Sequence, residues 1–131
     1  MTFRGTGVSG FAKGRAFVVD DRGQRNPFED LGPGSILVAK TISLSDSILI
    51  DFKNVQGIVI EEDPYGQVSL LARGIGIPAV VVGPGCIGEI FRGDRVLLRN
   101  LDVVVNPDME TMVEFDRLRR EADPQLSLDL Q

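Results

Sequence analysis

Residues 57–85 read GIVIEEDPYGQVSLLARGIGIPAVVVGPG and contain a strand, a turn, a helix and a second strand, with the punctuation that separates them. Ile58 to Ile60 and Ala79 to Val82 are unbroken apolar runs. Strands of this kind are covered on both faces, as in a parallel sheet, because a strand with one wet face would alternate apolar and polar residues. Between the runs, Val68, Leu71 and Ile75 recur at i, i+3 and i+7, which places them on one face of a short helix. Asp63-Pro64 supplies a turn and a cap before that helix, and Gly74 or Gly76 can end it. The stretch is therefore a βαβ unit, and it sets the α/β class.

Working back towards the N-terminus, Gly34 to Ala39 reads as another buried strand. Residues 41–50 open a short helix in which Ser43 and Asp46 have the spacing of a capping box. The hydroxyls of Ser45 and Ser47 beside Asp46 invite a phosphorylation reading, but capping accounts for such residues at a helix start. Gly10 to Val19 has the glycine punctuation and apolar content of a strand, and residues 20–33 form a polar loop without helical periodicity.

Towards the C-terminus, Gly83-Pro84-Gly85-Cys86 makes a tight turn into a one- or two-turn helix over Ile87 to Phe91. The turn lacks the lysine and spacing of a P-loop, so it is read as turning the chain rather than holding phosphate. Cys86 is expected to be a small packed side chain. A hairpin follows, with strands Arg95 to Leu98 and Asp102 to Val105 and a turn at Arg99-Asn100. Asn106-Pro107 stops it, and Asp108 caps a last helix. Met109, Met112, Val113, Phe115 and Leu118 form its apolar stripe, Glu110 suits its positive start, and Arg117, Arg119 and Arg120 suit its negative end. That stripe is either core or a face for a partner.

The chain has 131 residues, 43% of them hydrophobic, enough for one domain with its own core and too few for two. The expected organisation is a single domain over 1–123 and a mobile tail over 124–131. A net charge of −5 excludes a general nucleic-acid or anionic-membrane surface, both of which need concentrated Lys and Arg. Cys86 is the lone cysteine and histidine is absent, so neither an internal disulfide nor a Cys/His zinc site is available; no metal and no cofactor is expected. No segment has the roughly 20 apolar residues of a membrane span, and the N-terminus lacks a signal-peptide core, so the expected location is cytoplasmic.

From Gln67 through Ala72-Arg73 to Gly76-Ile77-Pro78-Ala79-Val80-Val81, the chain resembles the mobile phosphohistidine domain of phosphoenolpyruvate-utilising enzymes, and within that group Enzyme I of the sugar phosphotransferase system. The family pattern is Gly-Gly-x-Thr-Ser-His, a few small and apolar residues, Ala-Arg, then Gly-Ile-Pro-Ala-Val. Counted back without a gap from Ala72-Arg73, the phosphorylated histidine falls on Gln67, the Thr and Ser on Tyr65 and Gly66, and the glycine pair on Asp63-Pro64. The resemblance covers about Gly10 to Glu121 and implies a three-layer β/β/α swivelling domain: a parallel-rich sheet with helices on one side and a β-layer on the other. The helical domain by which Enzyme I docks its phosphocarrier, inserted after the first long strand, has no counterpart between Asp20 and Pro33.

A glutamine amide cannot replace the histidine, because its nitrogen lone pair is delocalised into the carbonyl and does not attack phosphorus. The resemblance therefore implies a scaffold without its phosphoryl carrier. The expected function is a catalytically inactive protein-binding or regulatory module, with a phosphotransferase-system component or a barrel-type enzyme subunit as partner; self-association is an alternative. The candidate binding loop is Asp63, Tyr65, Gly66 and Gln67, together with Arg73. A second reading makes the chain a small subunit of a split enzyme, its Gln67 loop and the acidic Glu61, Glu62 and Asp63 completing a site on another polypeptide; a solvated acidic turn is the plainer account of those carboxylates. A third, phosphoryl transfer through Ser69, ranks last, since a serine phosphoester is a poor onward donor. In the tail, Gln125 to Leu130 is similar to the short peptide by which bacterial proteins bind the DNA-polymerase sliding clamp, a pattern easily met by chance.

Overall fold

The computed structural model describes residues 1–19 and 26–122. The tail and its clamp-like motif, and most of the polar part of the 20–33 loop, lie outside these residues. In chain order the elements are β1 (Thr2–Arg4), β2 (Thr6–Val8), β3 (Gly10–Val18), β4 (Ser35–Ala39), α1 (Leu44–Leu49), β5 (Val55–Ile60), α2 (Gln67–Ile75), β6 (Ala79–Val81), β7 (Arg95–Asn100), β8 (Asp102–Val105) and α3 (Met109–Ala122). The strands form one sheet in the order β1-β8-β7-β3-β4-β5-β6-β2.

The apolar runs explain the centre of that order. β4, β5 and β6 pair in parallel, with Ile58 opposite Ala79 and Leu37 opposite Ile58, and all five residues of β4 are buried. The nine-residue β3 joins two layers. Its first part, Gly10 to Arg15, pairs antiparallel with β7, and its last part, Arg15 to Val18, pairs parallel with β4.

Alternation along each strand then sorts the core into three clusters. Leu37, Ala39, Ile58 and Ile60 face Val68 and Ala72 of α2. From the opposite face, Ile36, Val38, Val59 and Val80 meet Val96, Leu98, Val103 and Val105 of the β7-β8 hairpin. On the far side of that hairpin Leu97 and Val104 pack on Phe115 of α3, whose ring meets Phe11 edge-on at 5.9 Å.

The parallel sheet, the β-layer and the α2 side make the expected three-layer α/β fold, with two differences. Helix α3 covers the outer face of the hairpin, so the helices are not all on one side. The 20–33 loop is not wholly polar in its packing, since Phe28 and Leu31 are buried in the α2-side cluster. A loop that must lie across an apolar sheet face supplies its own cover, and two isolated apolar residues carry no periodic signal of it.

Local signals are met where they are strong. Ser43 and Asp46 form the reciprocal capping box of α1, the Asp108 carboxylate accepts from the Thr111 N–H at the start of α3, and Gly76 ends α2 with φ +90°. The apolar stripes are narrower than expected. In α2 the buried residues are Val68 and Ala72 with Ile75 exposed, and in α3 Phe115 alone is buried while Met109 and Val113 face outward.

Candidate functional site

Strand β5 ends at Ile60, and the chain leaves the sheet at the carboxyl end of the parallel strands, where open α/β sheets place their ligand sites. The N–H groups of Glu61 and Glu62 both donate to the Lys40 carbonyl, at 3.0 and 2.9 Å, which fixes the exit of the loop. Asp63 and Pro64 then begin a single tight turn of 3-10 type, closed by the Gly66 N–H on the Asp63 carbonyl at 3.0 Å. Tyr65 and Gly66 are successive left-handed residues, with φ +60° and +67°. Gln67 follows as the first residue of α2 and lies exposed at the helix tip.

The double left-handed step turns the Asp63 side chain back under the helix. Its carboxylate accepts from the N–H of Val68 at 2.8 Å, the N–H of Ser69 at 3.2 Å and the hydroxyl of Ser69 at 2.6 Å. These are the amides that a helix start leaves without intrahelical partners, where the helix dipole favours negative charge. The chain fills that position with its own carboxylate, and the Ser69 hydroxyl is held in the same contact.

Glu61 acts in a similar way across the sheet. Its carboxylate accepts from the N–H of Gly85 at 2.6 Å, tying the Gly83–Gly85 turn to the end of β5. Glu62 lies 3.9 Å from the Lys40 ammonium. Two of the three carboxylates are thus internal ties, of which the Asp63 cap was legible in the sequence and the Glu61 tie was not, while the Glu62 side chain stays 55% exposed. A contact between residues 61 and 85 has no local signature.

Of the expected site residues, Asp63, Tyr65, Gly66 and Gln67 come together at the tip. Arg73 does not, because six residues of helix carry it about 9 Å along the axis towards the other end of α2. The tip gains neighbours from α1 instead. A cleft of about 70 Å³ is lined by Ser43, Leu44, Ser47, Gln67, Val68 and Leu71. Leu44 in its lining is 71% exposed, and elsewhere on the loop, α1 and α2 Tyr65 is 97%, Ile48 84% and Leu70 71% exposed. Of the hydroxyls beside Asp46, that of Ser47 donates to the Leu44 carbonyl and Ser45 is exposed, while Asp46 itself is engaged with Ser43 in the capping box. Cys86 is partly buried against the inner core. Among the described residues no three Cys, Asp or Glu side chains gather as metal ligands, and no helix is long and apolar enough to cross a membrane.

A parallel sheet with an antiparallel layer behind it, and an exposed loop at the tip of the helix after its βα connection, make this a layered α/β domain. Comparison with known proteins gives the family. Residues 31–99, more than half of the chain, match the PEP-utilising enzyme mobile domain, and the chain belongs to that family. It is similar to the phosphoenolpyruvate-protein phosphotransferase of Streptomyces coelicolor, 38% identical over 78 residues that cover 57% of this chain and 14% of that protein. The protein of the same name from Geobacillus stearothermophilus is 28% identical over 95 residues, covering 69% of this chain and 16% of the relative. The chain therefore spans about a sixth or less of the length of these relatives. Among solved structures, an Enzyme I solution structure superposes with a TM-score of 0.65 at 23% identity, over 72% of this chain and 40% of the other. A UPF0107 protein superposes with a TM-score of 0.60 at 21% identity, over 80% of this chain and 98% of the other. These two show the fold.

Proposed function

We infer that this mobile domain has lost its phosphoryl-carrying residue and serves as a protein-binding or regulatory module. The observation that supports the reading is Gln67, first residue of α2, at the position where the ungapped family pattern has its phosphorylated histidine. The sequence contains no histidine that could substitute. The tip is built for contact rather than for a bound anion. The Asp63 carboxylate fills the helix-start amides and Glu61 takes the Gly85 amide, while Tyr65 is offered to solvent in a backbone conformation that disfavours any residue but glycine. The partner is a protein surface, a phosphotransferase-system component or a barrel-type enzyme subunit, that accepts the aromatic tip and the apolar flank of α1.

Two experiments test this. Incubation with phosphoenolpyruvate and active Enzyme I, followed by intact-mass measurement, should leave the mass unchanged; a gain of one phosphate refutes the loss of the carrier. Native mass spectrometry of the tagged chain from its source cell should show a stoichiometric partner that Tyr65→Ala releases, and absence of any partner, itself included, ends the binding reading.

The second reading is a small subunit whose Gln67 loop completes a site on another chain. The fold covers 98% of the solved UPF0107 chain, so it occurs as nearly an entire polypeptide, which suits both readings. An activity that appears only when this chain is added to a second gene product, and is lost in Gln67→Ala, would select it over the first.

A further inference from the structure

A cation-lined cleft lies elsewhere. Between the start of α3 and the outer face of β3 and β7 is a cleft of about 290 Å³, near the lower end of the range for small-ligand sites. Lys13, Arg15 and Arg95 ring it, Leu97 and Met112 give it an apolar wall, and the backbone of Gly14 and Gly34 closes one side. Arg15 pairs with Ser35 at the beginning of β4, whereas the helix tip follows the strand ends at Ala39 and Ile60. The two places are thus about 13 Å apart along the strand.

The placement of the charges carries the argument. Arg15 and Arg95 are directly opposite each other in the β3-β7 ladder, and a like-charged pair in that position is destabilising. Among the described residues neither guanidinium pairs with a carboxylate. Arg15 donates to the Gly93 carbonyl at 3.2 Å, and Arg95 approaches the Met112 sulfur at 3.3 Å. Lys13 is partly neutralised, its ammonium 3.3 Å from Asp116. Among the described residues these two guanidiniums therefore face one cavity without a carboxylate partner.

We propose that the Arg15-Arg95 cleft binds a small organic dianion, a phosphomonoester or a dicarboxylate, with a short apolar body against Leu97 and Met112. Two guanidinium forks match the planar, bidentate geometry of either anion, and Lys13 adds a third donor at the rim. Binding removes the repulsion across the ladder. This inference stands on the β3-β7 face and does not depend on the fate of Gln67.

The test is an amide and methyl NMR titration of the full chain at fixed ionic strength, with inorganic phosphate, phenyl phosphate and succinate as probes. Saturable shifts are expected at Gly14, Gly34 and Arg95 and at the Met112 methyl, with phenyl phosphate tighter than inorganic phosphate. The order of phenyl phosphate against succinate identifies the anion class. Arg15→Gln and Arg95→Gln should each weaken binding roughly tenfold. Without ligand each should raise Tm by about 1–3 °C, since the like-charge pair is gone. Shifts that do not saturate, shifts centred on the Gln67 loop, or affinity unchanged in both variants would overturn the proposal. A fall in Tm would assign the guanidiniums a structural role and remove its premise.

Discussion

Tyr65 is nearly fully exposed and left-handed at once, so its side chain contributes little to folding while its backbone is held against the preference of an L-residue. Replacing it with glycine relieves that cost, partly offset by the greater freedom of the unfolded chain, and should raise stability by roughly 0.5–1 kcal/mol in urea unfolding. A stabilised variant that no longer binds its partner would locate the function in the ring. Asp63 behaves oppositely. Asp63→Ala strips three donors at the start of α2 of their acceptor and should cost about 1–2 kcal/mol, with faster amide exchange at Val68 and Ser69. The cap was legible in the sequence as Asp63-Pro64. That its carboxylate would reach past a left-handed pair to residues 68 and 69 was not, because nothing in Tyr65 announces a positive φ.

Among the elements, the βαβ unit was read correctly because its runs are long, unbroken and bounded by glycine and proline. Helix α3 was read from its cap and periodicity, but the face it covers was not, since a stripe shows that a helix has an apolar side and not which sheet surface receives it. The anchor is narrow. Phe115 is fully buried among Leu97, Val104 and Phe11, and Phe115→Ala should cost about 3–5 kcal/mol, read as a lower urea midpoint with α3 exchanging first. The start of α3 responds to acid. The Thr111 hydroxyl, and after it the Thr111 N–H, hold the Asp108 carboxyl below its usual 3.8. A carboxyl with a depressed value in the folded chain stabilises above the unfolded value and loses that contribution as pH falls through the folded one. Amide protection in the first turn of α3 should therefore be constant above pH 3.8 and decline below it, and Asp108→Asn should abolish the decline.

For the whole molecule, what the sequence could not disclose is register. The meeting of Arg15 with Arg95, the tie from Glu61 to Gly85 and the cover given by Phe28 and Leu31 join residues far apart in the chain, and each depends on how strands align rather than on what any segment prefers. The layer order was accessible because burial on both faces is written into β4 and β5, whereas the use of each loop residue is set by the neighbour it happens to meet.

Strands β1 and β2 are separated by Gly5 alone, yet they lie at the two extremes of the strand order, one against β8 and the other against β6. A side chain at Gly5 would strike the Val81 carbonyl, so the crossing tolerates no bulk. The first eight residues thus act as one clasp over both free rims of the curled sheet. Proteolytic clipping there would bare two valine-rich rims together, and such material should polymerise edge to edge while the intact chain stays dispersed, a difference that light scattering would register.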